Sequence, residues 1–250
     1  MYIAIKPSNR EQLTATEKAT VVSYLTDRSV LGIEPVIVNA DNYYITAAIT
    51  VTYNPNLTTI TSGQLKASTI STVTTYSDDK LERFDSKLRR SKLEEKIADI
   101  SAAIVGVNSS YVMYKRFTPA LATNTTLEAN FNNALYVSDN HERHDDHIPA
   151  VYTSAFTKDG RTQYIKDDGL GVLFMYYLDT SGNEVITDSS IGTVNYTTGA
   201  VQIINLNVDS YSTYVKIFAK PADSGSIMSS QNQLFQIEAD DVTVTMQTGT

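Results

Sequence analysis

No cysteine occurs in the 250 residues, so the chain has no disulfide framework and no thiolate metal site, and its redox compartment is left open. Histidine is scarce, and all three copies fall in one stretch, His141-Glu-Arg-His144-Asp-Asp-His147. Elsewhere a nucleophile–base or imidazole–metal constellation has few members to draw on. Long apolar runs are missing too: those such as Val172–Leu178 fall far short of the ~20 residues that a membrane-crossing helix needs. The opening residues MYIAIKPSNR lack a basic region followed by a long apolar core, so no secretory signal is expected. There is no G-x-S-x-G elbow, no P-loop and no dinucleotide glycine pattern. Nor does any repeat of fixed period appear.

Basic charge is lacking in one half only. The formal charge is −8, but residues 1–120 carry 14 Lys/Arg against 12 Asp/Glu, whereas residues 121–250 carry 6 against 16. Phosphate binding needs concentrated Lys and Arg, so the acidic half argues against nucleic acid and anionic membrane as partners. It suits a soluble acidic surface or a docking face for a basic protein. The one basic concentration is Lys87, Arg89, Arg90 and Lys92 with Lys115 and Arg116, and it interleaves with Glu82, Asp85, Glu94 and Glu95. That mixture reads as a solvated face or a salt-bridged protein interface. The length and a hydrophobic content of 42% suffice for one large domain or two modest ones.

Taken in order, Tyr2–Lys6 alternates like a short strand, and Thr14 with Glu17 fits a capping box at the start of a helix that runs out near Arg28–Gly32. Pro35–Asn39 is a brief strand. Tyr43–Tyr53 is a longer one, with Ile45, Ala47, Ile49, Val51 and Tyr53 on one face. Thr61 and Gln64 form a second capping box, followed by Leu65, Thr69, Val73 and Tyr76 at helical spacing. Ser91 and Glu94 offer a third, followed by Leu93, Ile97, Ile100 and Ile104 as one apolar stripe, with Gly106 closing the helix. Tyr111–Phe117 alternates again. Residues 1–118 therefore read as an α+β unit, a two-layer α/β sandwich of the split β-α-β kind with an added helix. Residues 119–250 read as short strands separated by turn signals such as Lys158-Asp-Gly160 and Thr197-Thr-Gly199, a mainly antiparallel β-domain.

Three constellations invite a chemical reading. Three imidazoles and several carboxylates within seven residues have the donors to hold a divalent ion, which makes His141, His144 and His147 the candidate metal ligands. The H-x-x-H-x-x-H spacing matches neither the helical H-E-x-x-H pattern nor a finger, and a plain polar loop or a pH-sensitive contact accounts for it as well. No metal or other cofactor is expected. Asp167-Asp168 and Asp240-Asp241 offer neighbouring carboxylates, but adjacent strand residues point to opposite faces, so turn or strand-end chemistry explains them. The 16 tyrosines carry more weight. Tyr43, Tyr44, Tyr176, Tyr177, Tyr211 and Tyr214 lie in or beside strands, where they serve either strand packing or protein interfaces. From these patterns Arg89, Arg90, Lys115, Arg116, Tyr176 and Tyr214 are the expected interface residues, and no catalytic residue is expected.

The order of segments carries a resemblance. YIAIKP, LTATEKATVVSYL, GIEPVIVNADNYYITAAITVTYNPN, TSGQLKASTISTVTTY, FDSKLRRSKLEEKI and YVMYKRFTPAL follow one another as in a phage tail protein. IGTVNYTTGAVQIINL and SSQNQLFQIEADDVTVT continue the likeness. The chain resembles the C-terminal region of the baseplate wedge subunit of T-even-like contractile-tail bacteriophages, in the baseplate J-like class. The resemblance implies a structural virion protein of the tail baseplate, assembled in the host cytoplasm, that catalyses no reaction. It implies self-association as a homodimer or higher oligomer and binding to other wedge proteins in the baseplate ring. The alternative is a carbohydrate- or receptor-binding tail module carried by the β-domain, since exposed aromatic rings suit sugar faces.

Overall fold

A computed structural model describes residues 2–7, 12–29, 34–137, 148–230 and 232–249. The chain opens with β1 (Tyr2–Ile5), α1 (Ala15–Thr26) and β2 (Val36–Asn39), a parallel strand pair joined through a helix. Then come β3 (Asp41–Tyr53), α2 (Ser62–Tyr76), β4 (Lys87–Arg89), α3 (Arg90–Ala98) and β5 (Ile104–Phe117). Past residue 118 the described elements are strands and one short 3-10 turn: β6 (Thr125–Asn130), β7 (Val151–Thr153), β8 (Phe156–Lys158), β9 (Arg161–Asp167) and β10 (Val172–Leu178). They continue with β11 (Glu184–Asn195), β12 (Ala200–Leu206), β13 (Ser210–Tyr211), β14 (Val215–Ala219), β15 (Ser226–Met228), β16 (Gln233–Gln236) and β17 (Val242–Thr248). The class is α+β with a large, mainly antiparallel sheet.

Two of the three helix starts follow the expected chemistry. Thr14 and Glu17 satisfy each other's backbone N–H at the head of α1, and Thr61 and Gln64 do the same for α2. Leu65, Thr69, Val73 and Tyr76 are the buried residues of α2, the stripe that its spacing predicts. The third start differs. α3 begins at Arg90 without a side-chain cap, because the Glu94 carboxylate is occupied by Arg90 Nε at 2.8 Å and by the amide and hydroxyl of Ser109 at 2.9 and 2.7 Å. The helix also stops at Ala98. Leu93 and Ile97 are buried on it, whereas Ile104 opens β5 and Gly106 pairs with Thr52 inside the sheet.

β3 is the spine of the large sheet. β5 lies antiparallel on one side, and β16 and β17 follow one another on the other side, both parallel to it. From β5 the sheet proceeds through β14, β7, β9, β10, β11 and β12 to β6, with β8 and β13 attached beside β9. β4 and β15 form a small separate pair. The sheet curls until β6 meets the start of β3: the Asn130 amide donates to the Tyr43 hydroxyl at 2.9 Å, and Gln233 Nε2 donates to the Asn130 carbonyl. The rings of Tyr43 and Phe131 meet edge to face at 5.3 Å there. One buried cluster runs from Ile45, Val51, Val73 and Ile97 to Leu127, Val194, Ile203 and Ile217. Strands from both sides of residue 118 thus share one sheet and one core.

Candidate interface site

The end of β5 gathers the densest set of paired charges and rings. Adjacent residues of a strand face opposite ways, so Lys115 and Arg116 serve different surfaces. Lys115 bonds the Asp41 carboxylate at 2.9 Å and lies 4.8 Å from the centre of the Tyr43 ring. Arg116 holds Glu238 in a two-pronged grip through Nη1 at 3.1 Å and Nη2 at 2.5 Å, and Nη2 also donates to the Tyr114 hydroxyl at 2.8 Å. Its guanidinium sits 3.7 Å from the centre of the Tyr44 ring and 5.3 Å from that of Tyr214. Tyr114 in turn donates to Asp241 at 2.5 Å, and Lys216 stands 3.8 Å from the same carboxylate.

These contacts set the proton affinities. Burial pushes the Tyr114 hydroxyl well above the ordinary phenol range, and its hydrogen bond to Asp241 pushes the same way. For Arg116, burial disfavours the charge, but the bonds to Glu238 and Tyr114 outweigh it and hold the guanidinium protonated. Burial raises Tyr43 as well, with Asp41 adding to it. An open cleft of about 630 Å³ adjoins the cluster, lined by Ser154, Thr213, Tyr214, Phe218, Glu238 and Asp240 among others. A second, of about 660 Å³, lies over Asp41, Tyr43 and Lys115 against β6, β11 and β12.

The rings continue across the sheet as one cross-strand row. Tyr44 is opposite Tyr114, Tyr114 opposite Phe218, Phe218 opposite Tyr152, Tyr152 opposite Lys166, and Lys166 opposite Phe174. The ring centres of Tyr44–Tyr114, Tyr114–Phe218 and Tyr152–Phe218 are 5.1, 5.3 and 4.9 Å apart. Such pairs are the unit of sheet stabilisation, and here they knit six strands in a line. Tyr44 and Tyr114 are 3% and 0% exposed, so their faces are occupied from within.

Of the expected interface residues, the fold brings Arg116 and Tyr214 together and sets Lys115 on the opposite face. Arg89 is exposed on β4, opposite Ser226. Arg90 binds Glu94 and, at 2.6 Å, Asn108, toward the other end of β5 and roughly 25 Å from Arg116 at strand spacing. Tyr176 lies on β10, stacked on Tyr164 at 5.6 Å and beneath Lys166, and burial raises its hydroxyl. His141, His144 and His147 lie outside the described residues. Among the described residues no group of three or more His, Asp or Glu is arranged to hold a metal ion. Asp167 and Asp168 do act as turn residues: Asp167 accepts from the amides of Val151 and Gly169 and from the Tyr196 hydroxyl, and Asp168 accepts from the amides of Leu170 and Val172. Sequence patterns do not single out Glu238 or Lys216 and offer Asp241 only as one of two neighbouring carboxylates, because their roles depend on which strands become neighbours.

Stacked rings, paired charges and a continuous sheet tie the described strands of this region to one another. No described helix is long and apolar enough to cross a membrane. Residues 41–116, from the start of β3 to Arg116, match the family model described as "Baseplate structural protein gp6, C-terminal domain III". The chain is also 25% identical over 114 residues to "Baseplate wedge protein gp6" of Enterobacteria phage T4. That alignment covers 46% of this chain and 17% of the phage T4 protein, so the chain spans a small part of its relative's length. By these matches residues 41–116 are similar to a domain of a baseplate structural protein, and 46% of the chain aligns with a baseplate wedge protein.

Proposed function

We propose that the chain is a structural subunit of a phage tail baseplate that self-associates and binds other wedge proteins to build the ring, and that it catalyses no reaction. The observation that carries this is the match of residues 41–116 to a baseplate structural domain, a segment that supplies β3 and β5, the strands next to the β16 and β17 side of the large sheet. The charged and aromatic cluster at Arg116 supports it: its side chains brace β3, β5, β14 and the turn before β17 against one another, as a load-carrying body requires. A sugar-binding reading asks for open ring faces, and the most closely stacked rings of the row are turned on each other. In this reading the protein sits in the virion after assembly in the host cytoplasm. Sedimentation of the purified chain over a wide concentration range tests the homotypic part, for which an oligomer is expected and a strict monomer is the contrary result. Co-expression with the products of adjacent tail genes tests the heterotypic part, where co-purification is expected.

A further inference from the structure

β17 is where the large sheet stops on one side. It pairs with β3 over seven residues, from Val242 beside Ala47 to Thr248 beside Tyr53, and among the described residues no strand lies against its other edge. The Gly249 amide donates to the Tyr53 carbonyl, so the odd-numbered amides here point toward β3. By the two-residue alternation of a strand, the N–H and C=O groups of Val242, Val244, Met246 and Thr248 point outward. An open edge of this kind is a template for another strand. α2 packs against β17, but three customary protections, charge, proline and a bulge, are missing. Val-Thr-Val-Thr-Met-Gln-Thr has no charge and no proline, its register on β3 is unbroken, and it is rich in β-branched residues. The opposite end of the sheet is guarded: β6 carries Glu128, and the amide and carbonyl of Asn130 are occupied by the side chains of Tyr43 and Gln233.

We propose that β17 is a joint between two copies of this chain, paired antiparallel edge to edge about a two-fold axis through Thr245. This rests on the self-association reading and names its surface. A second copy fits the edge for three reasons. First, with the axis at Thr245, Val244 faces Met246, Thr243 faces Gln247 and Val242 faces Thr248, so outward amides meet outward carbonyls. Second, the alternation matches: Val244 is buried and Met246 half-buried on one side, while Thr243, Thr245 and Gln247 are exposed on the other. Third, the chain carries −8, yet this edge has no charge to set against its own copy. The nearest carboxylates, Asp240 and Asp241, stand at one end only. Antiparallel pairing sends the two Asp241 side chains to opposite ends of the joint, roughly 26 Å apart at strand spacing.

The absence of cysteine makes the test direct. Thr245→Cys puts a single thiol on each chain, and directly opposed residues of a non-hydrogen-bonded antiparallel pair have Cα atoms about 4.5 Å apart, within disulfide reach. Wild type is expected to sediment as a dimer, and Thr245→Cys to become a covalent dimer under mild oxidation. Ser181→Cys, on the exposed turn between β10 and β11, is expected to stay uncrosslinked under the same conditions. The double variant Thr243→Lys/Thr245→Lys places like charges along the edge and is expected to raise the dimer dissociation constant by at least about tenfold, with unchanged far-ultraviolet circular dichroism. A wild-type dimer that neither crosslinks through position 245 nor responds to the lysines overturns the joint and leaves self-association standing. A wild type that is monomeric at every concentration overturns both.

Discussion

Arg116 shows how one side chain comes to matter through partners that its own sequence neighbourhood does not name. Glu238 and Asp241 reach it from 122 and 125 positions along the chain, and Tyr44 from the neighbouring strand. Arg116→Ala leaves Glu238 and the Tyr44 ring without their cation and Asp241 with Lys216 alone. It should cost about 1–3 kcal/mol, or about 2–4 °C of melting temperature per kcal/mol in a chain of this size. Arg116→Lys keeps the charge but loses the two-pronged geometry, so its melt should fall between the two. The tyrosines give a second residue-scale prediction. Burial pushes Tyr111 up to about 12, and Tyr43, Tyr114, Tyr152, Tyr176 and Tyr196 are raised as well. A phenol with a raised folded pKa stabilises the fold fully below its unfolded value and loses that contribution as pH climbs toward the folded one. Stability should therefore hold to near pH 10 and fall between about 10 and 12, with the tyrosinate absorbance of these six side chains appearing in step with unfolding. Ionisation of all 16 tyrosines while the fold is intact would contradict it.

Elements differ in how openly the sequence declared them. α1, α2, β3, β10, β12 and β17 are legible because capping residues, alternation or, for β10, an unbroken apolar run mark them locally. The apolar residues Leu93 and Ile97 mark α3, but the Ser91–Glu94 pattern does not cap it, since Glu94 bonds a strand that the local pattern cannot reveal. β4, β13 and β15, of two or three residues, have no periodicity to detect, and β9 hides behind the polar run Arg161–Gln163. Within Glu184–Asn195 the polar residues Thr187–Ser190 interrupt the apolar pattern, yet pairing with β10 and β12 carries one strand through. The candidate site was half visible: Arg116 and Tyr214 stood out as a cation and a tyrosine near strand ends, while the row through Tyr152 and Phe218 exists only through strand order. Ile97 offers the element-scale test. It is 0% exposed on α3 among Leu88, Leu93 and the β5 side of the core. Ile97→Asp buries an unpaired carboxylate and should cost about 3–5 kcal/mol, seen as a large drop in thermal melting. Unchanged melting would mean that α3 does not cover the sheet.

At the scale of the molecule, the sheet crosses residue 118 without a break, since β5 continues into β14 and β3 is flanked by β16 and β17. Removing residues 231–250 should strip β3 of its parallel neighbours and take Glu238 and Asp241 from Arg116. The truncated chain is expected to aggregate, and light scattering beside the intact chain would read this; a soluble, cooperatively melting fragment is the contrary result. The same arrangement has a consequence for timing. Ala47 waits for Val242, a contact separated by roughly 200 residues, so loop-closure entropy must be met before β3 gains its second neighbour. At ribosomal speeds of about 5–20 residues per second, the strand spends roughly ten seconds or more with that side uncovered. Folding of this layer is thus gated by synthesis, and no copy can offer a finished sheet edge for assembly until the chain beyond residue 240 has been made.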